Sequence, residues 1–253
     1  MTCVGTPGKI NLPELICKKP GVTVRAASLV SSGIKLVSDQ VQPYTEFWNQ
    51  ANQDLVSRSV DPTQLGKNLL IVIGDSSALG VGASQPELGF VSPVRDFLVQ
   101  VTGEGCELVV LAHSGARVAN GIEQFLPTAL EVREYWEAHK HGTVWLISCI
   151  GSNDIFWTLS LAKLQRQLTD LVKSLPARSL VATLAGASPR AFASNAHLKK
   201  ITNDNNMRIV EPWRNKISGA LDRIAEDKFH PSDYGYQCMA DAFCEALDKE
   251  MVL

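Results

Sequence analysis

The sequence predicts an α/β protein built on a mostly parallel five-stranded sheet with helices on both faces, and three observations carry that prediction. From Asn68 onward, short unbroken apolar runs recur, each ending in small or polar residues. Between them lie segments whose apolar residues fall at helical spacing, and this alternation requires crossover connections and strands buried on both faces. The third is bulk: 253 residues, 45% hydrophobic and 20% charged, are enough for one sizeable core.

In chain order the first element is a helical stripe. Val30, Ile34, Val37, Val41, Tyr44, Trp48, Ala51 and Leu55 follow one another in alternating steps of four and three. Pro43 is expected to kink it. The mixed, sparse charges Lys35, Asp39, Glu46 and Asp54 do not form the basic face of a membrane-surface helix, so the stripe reads as one amphipathic helix packed on the main body. Residues 1–66 are therefore expected to form an N-terminal extension, and residues 67–253 the main domain.

The strands follow: "NLLIVIG" (68–74), "ELVVLA" (107–112), "TVWLISCI" (143–150), "SLVATLA" (179–185) and a weaker fifth, "MRIVEPW" (207–213). The helical patterns between them are "FVSPVRDFLVQV", "GIEQFLPTALEVREYWEAH" and "LAKLQRQLTDLVKSL", and a last helix is expected to begin near Pro231 or Ser232. Ligands in such sheets sit at the carboxyl ends of the strands.

A net charge of −2 supplies no global attraction for nucleic acid or an anionic membrane. The opening "MTCVGTPGKINLPELICKKPG" lacks the continuous apolar core of a signal peptide, and no stretch approaches a membrane span, so a cytoplasmic chain is expected. The six cysteines (Cys3, Cys17, Cys106, Cys149, Cys238, Cys244) show no C-x-x-C and no metal-ligand spacing; they read as free, mostly buried thiols. No metal and no cofactor are expected.

The loop "GDSSALGVGASQ" after the first strand admits two chemistries. A phosphate cradle would want a cation, yet from Gly74 to Val94 there is no Lys or Arg, and neither the P-loop nor the G-x-G-x-x-G pattern is met. A nucleophile at Ser76 needs a base, a group to orient the base, and donors for an oxyanion. "AEDKFHPSDYGY" offers Asp227 and His230 three residues apart, although an isolated D-x-x-H is also an ordinary helix-start turn. Gly115 in "LAHSGARV" and Asn153 in "SCIGSNDIF" follow the second and third strands. Each reads either as an oxyanion donor or as a structural residue, a turn glycine and a helix cap respectively. All four segments fall at the same edge of the expected sheet.

Together, Gly74-Asp75-Ser76, Gly115, Gly151-x-Asn153-Asp154 and Asp227-x-x-His230 resemble, in order, the four blocks of the GDSL/SGNH hydrolases. The resemblance spans roughly residues 68 to 250. It implies a flavodoxin-like three-layer α/β/α sandwich and metal-free hydrolysis of esters or thioesters. It further implies Ser76 as nucleophile, His230 as base and Asp227 as its orienter, with Ser76, Gly115 and Asn153 as the oxyanion hole. Ser77 stands where the family name has Leu.

Other candidates are weaker. Ser77 is out of register with the motif, and Asp75 and Asp154 read as loop-holding acceptors of backbone N–H bonds. His139 and His141 cannot face one way from a helix, His113 reads as a satisfied structural histidine, and His197 as a surface one. The rival α/β-hydrolase elbow, G-x-S-x-G, fails at Ala78. Phe156 and Trp157 beside the Asn153 loop, and Phe229 beside His230, are expected to bind substrate as one wall of an acyl pocket, or else to belong to the core. The functional expectation is a serine esterase acting on a small-molecule ester of short-to-medium acyl chain. The same residues would serve a carbohydrate O-deacetylase, a thioesterase or an acyltransferase, and the fold alone would serve a binding module.

Overall fold

In a computed structural model of the chain, residues 10–17, 32–140, 142–156, 160–212 and 221–251 are described. The central strand β1 (Asn68–Gly74) is buried along its whole length, which is why its sequence is an apolar run without alternation. It pairs in parallel with β2 (Cys106–Ala112) on one side and β3 (Val144–Cys149) on the other. Two short strands, β4 (Leu180–Ala182) and β5 (Arg208–Val210), extend the sheet beyond β3. The order is β2-β1-β3-β4-β5, parallel throughout, as in flavodoxin-like doubly wound sheets.

Among the described residues, seven longer helices accompany the strands: α1 (Ser32–Asp39), α2 (Val41–Arg58), α3 (Val91–Thr102), α4 (Leu126–His139), α5 (Leu161–Ser174), α6 (Pro189–Asp204) and α7 (Asp233–Met251). Alternate residues of β1 point into two separate cores. Leu70 and Val72 meet Trp48 of α2, Leu98 of α3 and Phe243 of α7. Leu69, Ile71 and Ile73 meet Trp136 of α4, Leu168 of α5 and Leu198 of α6. The sheet is thus covered on both faces, and ligand access is left to its ends.

Register sets where access matters. Gly74 pairs with Ala112 of β2 and with Cys149 of β3, so the three central strands end level. The loops that follow them, carrying Asp75 and Ser76, His113 to Gly115, and Gly151 to Asp154, therefore leave the sheet at one edge.

Several local expectations need correction. The N-terminal stripe is carried by two helices rather than one, and the break falls at Gln40, not at Pro43. Pro43 has no N–H for the carbonyl of Asp39, one turn upstream, so the proline acts there and is itself accommodated in the first turn of α2. Val37, Val41, Tyr44, Trp48 and Leu55 of the stripe are buried, and Val30 lies outside the described residues. The pattern at 121–139 is not one regular helix either. A short turn at Val118–Asn120 leads into a wide π-turn at Gly121–Phe125 before α4, because Pro127 cannot donate to the carbonyl of Glu123.

Helix α6 has no counterpart among the expected elements. Its buried face is Ala191, Ser194, Leu198, Ile201 and Thr202, in which small and hydroxylated residues dilute the apolar signal. On it His197 is half-buried rather than a plain surface residue: its Nε2 lies 2.8 Å from Thr169 Oγ1 and 3.0 Å from the Gln165 carbonyl of α5. The five described cysteines are free, and Cys106, Cys149 and Cys238 are buried; Cys3 lies outside the described residues. Among the described residues, no helix is long and apolar enough to cross a membrane.

Candidate active site

The turn out of β1 is tight. A Cβ on Gly74 would lie 2.5 Å from Ala78 Cβ, so only glycine lets the chain fold back there. Two residues on, Ser76 is 5% exposed, and its Oγ lies 2.9 Å from His230 Nε2. His230 Nδ1 lies 2.6 Å from Asp227 Oδ2, and Asp227 Oδ1 accepts the backbone N–H groups of Phe229 and His230, both at 3.0 Å. Between them Lys228 adopts φ +61°, a left-handed conformation costly for a residue with a Cβ, and this tight turn brings a carboxylate and an imidazole three residues apart face to face.

Burial acts to raise the Asp227 carboxyl. The His230 ring and the two backbone N–H groups outweigh it and hold the group below its ordinary range. Asp227 is then an ionised acceptor, so Nδ1–H of a neutral His230 donates to it. That tautomer leaves Nε2 with a lone pair directed at the Ser76 hydroxyl, the arrangement that takes a proton from a nucleophile.

Asp75 is buried and its carboxyl is pushed up by that burial, against the hydrogen bonds it receives from Ser77. Its Oδ1 accepts the backbone N–H (3.0 Å) and the hydroxyl (2.8 Å) of Ser77, and its Oδ2 accepts Asn153 Nδ2 at 3.3 Å. Ser77 is thus occupied with its neighbour's carboxylate and with Cys149 Sγ at 3.7 Å, while Ser76 faces the histidine. Asn153 also donates to the Ala116 carbonyl at 3.0 Å. Asp154 Oδ2 accepts the Val118 N–H at 2.9 Å, tying the loops after β2 and β3 together.

Gly115 sits in a turn closed by the Ala116 N–H on the His113 carbonyl (3.1 Å), with φ +75°. It is exposed and is not among the residues that line the cavity beside Ser76. That cavity, about 180 Å³, is bounded by Asp75, Ser76, Ser77, Asn153, Phe156, Phe229 and His230, and also by Ser152, Ala185, Gly186, Lys228 and Pro231. Phe156 (65% exposed) and Phe229 (55%) stand edge to face with ring centroids 5.6 Å apart, and Phe229 lies 4.9 Å from the His230 ring. Neither belongs to the core. Trp157 lies outside the described residues.

The other described histidines stay away from this cavity. His113 is buried against the edge of Phe125, and His139 stacks on Tyr135 and reaches the Tyr135 carbonyl; His141 lies outside the described residues. Two contributions escaped the sequence reading. Ser152 and the loop at Ala185–Gly186 form part of the wall, held by the Ala185 N–H on Ser152 Oγ at 3.0 Å. Side chains from Gln40 to Trp48 reach the loop behind Ser76. Tyr44 and Trp48 carried a signal for this, since a buried phenol or indole on an apolar stripe requires a polar partner.

The model of the GDSL-like lipase/acylhydrolase family matches residues 72–238. No curated protein matches the chain. Among solved structures, TesA shares 18% identity and a TM-score of 0.59, over 72% of this chain and 99% of that one. The psychrotrophic esterase EstA from Pseudoalteromonas sp. shares 22% identity and a TM-score of 0.57, over 74% of this chain and 100% of that one. A two-domain esterase active on acetylated mannans shares 18% identity and a TM-score of 0.52, over 72% of this chain and 48% of that one. At such identities the likeness is one of fold.

Proposed function

Because the chain belongs to the GDSL-like lipase/acylhydrolase family, we propose that it hydrolyses carboxylic esters of short-to-medium acyl chain through an acyl-enzyme formed on Ser76. One observation carries this reading: the continuous line from Asp227 through His230 to Ser76, with contacts of 2.6 Å and 2.9 Å. In this reading residues 67–253 form the hydrolase unit and residues 1–66 an extension to it.

His230 Nε2 takes the Ser76 proton as Oγ attacks the acyl carbonyl, and Asp227 stabilises the imidazolium that results. The carbonyl oxygen becomes an oxyanion, held by the Ser76 and Gly115 N–H groups and the Asn153 amide. Of the two Asn153 contacts, the 3.3 Å bond to Asp75 is the longer and weaker, and it is the one that gives way as negative charge builds on the substrate. His230 returns the proton to the leaving alcohol. Water, deprotonated by His230 in turn, then attacks the acyl-enzyme and regenerates Ser76.

The exposed Phe156 and Phe229 rings support an apolar acyl group beside Ser76, and a cavity of about 180 Å³ supports a short one. The test is a series of p-nitrophenyl esters from acetyl to hexanoyl. Each added methylene is expected to contribute on the order of 0.8 kcal/mol, about a four-fold rise in kcat/KM, until the pocket floor is reached. If acetyl esters were best and acetylated sugars faster still, the deacetylase reading would replace this one.

A further inference from the structure

The loop from Leu79 to Ala83 joins the nucleophile to the rest of the site. Val81 N–H donates to the Ser76 carbonyl at 3.0 Å, and a Cβ on Gly82 would lie 2.6 Å from His230 Cβ and 2.5 Å from the Pro231 carbonyl. The middle of the loop, at Val81, thus holds Ser76, and the next residue, Gly82, is the surface on which the His230 segment rests. Just beyond it, Ser84 donates its N–H and hydroxyl to the Asp233 carboxylate at the start of α7.

This loop has no strand or helix ladder of its own, and Gly80 and Gly82 take φ of +82° and +103°. Its buried backbone groups must find partners elsewhere. Three N–H groups close turns on Ser76, Ser77 and Gly80, and the Val81 carbonyl accepts the Tyr236 hydroxyl of α7 (2.7 Å). The Gly82 N–H and the Leu79 and Ala83 carbonyls find partners in the N-terminal segment. Gln40 Oε1 accepts the Gly82 N–H (2.8 Å) and its Nε2 donates to the Ala83 carbonyl (3.0 Å). The Tyr44 hydroxyl donates to that same carbonyl (2.8 Å), and Trp48 Nε1 donates to the Leu79 carbonyl (3.1 Å). The three residues recur every four positions, so they lie along one helix face. All three precede the residues matched by the family model, 72–238.

We propose that Gln40, Tyr44 and Trp48 are positioning residues for the hydrolytic reaction: by fixing the 79–83 loop they set the distance between Ser76 Oγ and His230 Nε2. The inference rests on the serine-hydrolase reading and extends it to a segment outside the matched region. Burial, with Asp233 and Glu87 nearby, raises the Tyr44 phenol, so it stays a donor over the working pH range.

The test compares two changes in the same part of the chain. The double variant Gln40→Met/Tyr44→Phe removes the clamp on Gly82 and Ala83 while keeping side-chain size. Asn52→Leu removes the bonds that Asn52, lower on α2, makes to the Val110 N–H and carbonyl of the edge strand β2, neither of which belongs to the 79–83 loop. Each purified protein is assayed well below its own Tm for the second-order rate of fluorophosphonate labelling of Ser76, and for kcat and KM on p-nitrophenyl butyrate.

In the double variant, labelling and kcat are expected to fall on the order of ten-fold with KM nearly unchanged, as misplacement of reacting groups by a fraction of an ångström does. Asn52→Leu is expected to lose Tm but keep both rates. Should the double variant not fold, Gln40→Met alone, at a half-buried position, is expected to lower labelling about three-fold. Wild-type labelling in the clamp variants, or an equal loss in Asn52→Leu, overturns the inference. A Ser76→Ala arm separates the two levels: full turnover there would remove the serine reading itself, whereas a dead Ser76→Ala beside normally labelled clamp variants would remove only the positioning role.

Discussion

The two halves of the candidate site are held in opposite ways. The loop that carries Ser76, residues 74–83, is buried except at half-buried Gly82, and it is tied to α2, α7 and β3 by bonds that cross long stretches of sequence. The His230 segment, residues 227–231, sits at the rim, and its key bonds span two or three residues. The two carboxylates reflect the contrast: burial pushes Asp75 up, whereas the His230 ring and backbone N–H groups overcome burial and hold Asp227 down. A nucleophile can be fixed by packing, because a hydroxyl is neutral and tolerates burial. A base that must gain charge during each turnover needs a charged neighbour and access to water.

If that contrast is right, changes at the two halves should separate activity from stability. The largest effect is expected from Ser76→Ala, which should lower kcat by roughly three orders of magnitude or more without moving Tm. Retained activity there, with Ser77→Ala inactive, would put the nucleophile one residue on. Asp227→Asn should lower kcat by about three to four orders as well, through loss of the required imidazole tautomer.

Asp227→Asn also carries a pH signature. A carboxyl held below its ordinary value contributes stability above that value, about 3.9, and loses the contribution as pH falls through the lower folded one. Calorimetry should therefore find a Tm gap between wild type and Asp227→Asn at neutral pH that closes progressively below about pH 4. A gap that persisted in acid would mean that Asp227 supports the fold by packing rather than by charge. Asp75 has the opposite sign, its contribution being present in acid and lost as pH rises through the raised folded value.

Asn153→Ala is expected to reduce kcat about 10²–10³-fold at nearly constant KM, because its donor acts on charge that develops only in the transition state. A pure KM effect would make it a substrate-binding or structural residue. Gly82→Ala should strike both halves at once, since the new Cβ meets the Pro231 carbonyl and His230 Cβ at φ +103°. A loss of about 2 kcal/mol in stability, together with a kcat drop of about ten-fold, is expected from urea melts and steady-state assays. A stability loss with unchanged kcat would show that the loop and the base segment are independent. The smallest effect belongs to Lys228→Gly, which should raise stability by about 0.5–1 kcal/mol by relieving the left-handed strain at φ +61°, offset in part by added chain entropy. If it instead lost several degrees of Tm, the Lys228 side chain would be holding the turn.

Much of this architecture is legible in the sequence. β1, β2 and β3 are continuous apolar runs, and their limits follow the sequence closely because a strand buried on both faces leaves no ambiguity of side. The short β4 and β5 were visible only as longer runs around them. Helix α6 was missed because its inner face is half small and polar. Ser76, Asp227, His230 and Asn153 follow from the order of motif blocks; the level strand ends bring the Ser76 and Asn153 loops to one edge, and the His230 segment meets them there by packing on Gly82. The Asp75 bonds to Ser77 and Asn153, and the reach of Gln40, Tyr44 and Trp48 to the loop, depend on side-chain directions across separate elements, which no spacing along the chain encodes.

The bond between Ser76 and His230 closes a span of 154 residues, from the end of the first strand to the threshold of the last helix. Bringing such distant ends together costs roughly 4–5 kcal/mol of chain entropy before any contact repays it. Local helices and even the β1–β2 pairing can form earlier in refolding, because their contacts are nearer in sequence. Recovered turnover should consequently lag behind recovered circular dichroism after dilution from urea, so that the enzyme assay times the docking of α7, the event that brings His230 to Ser76.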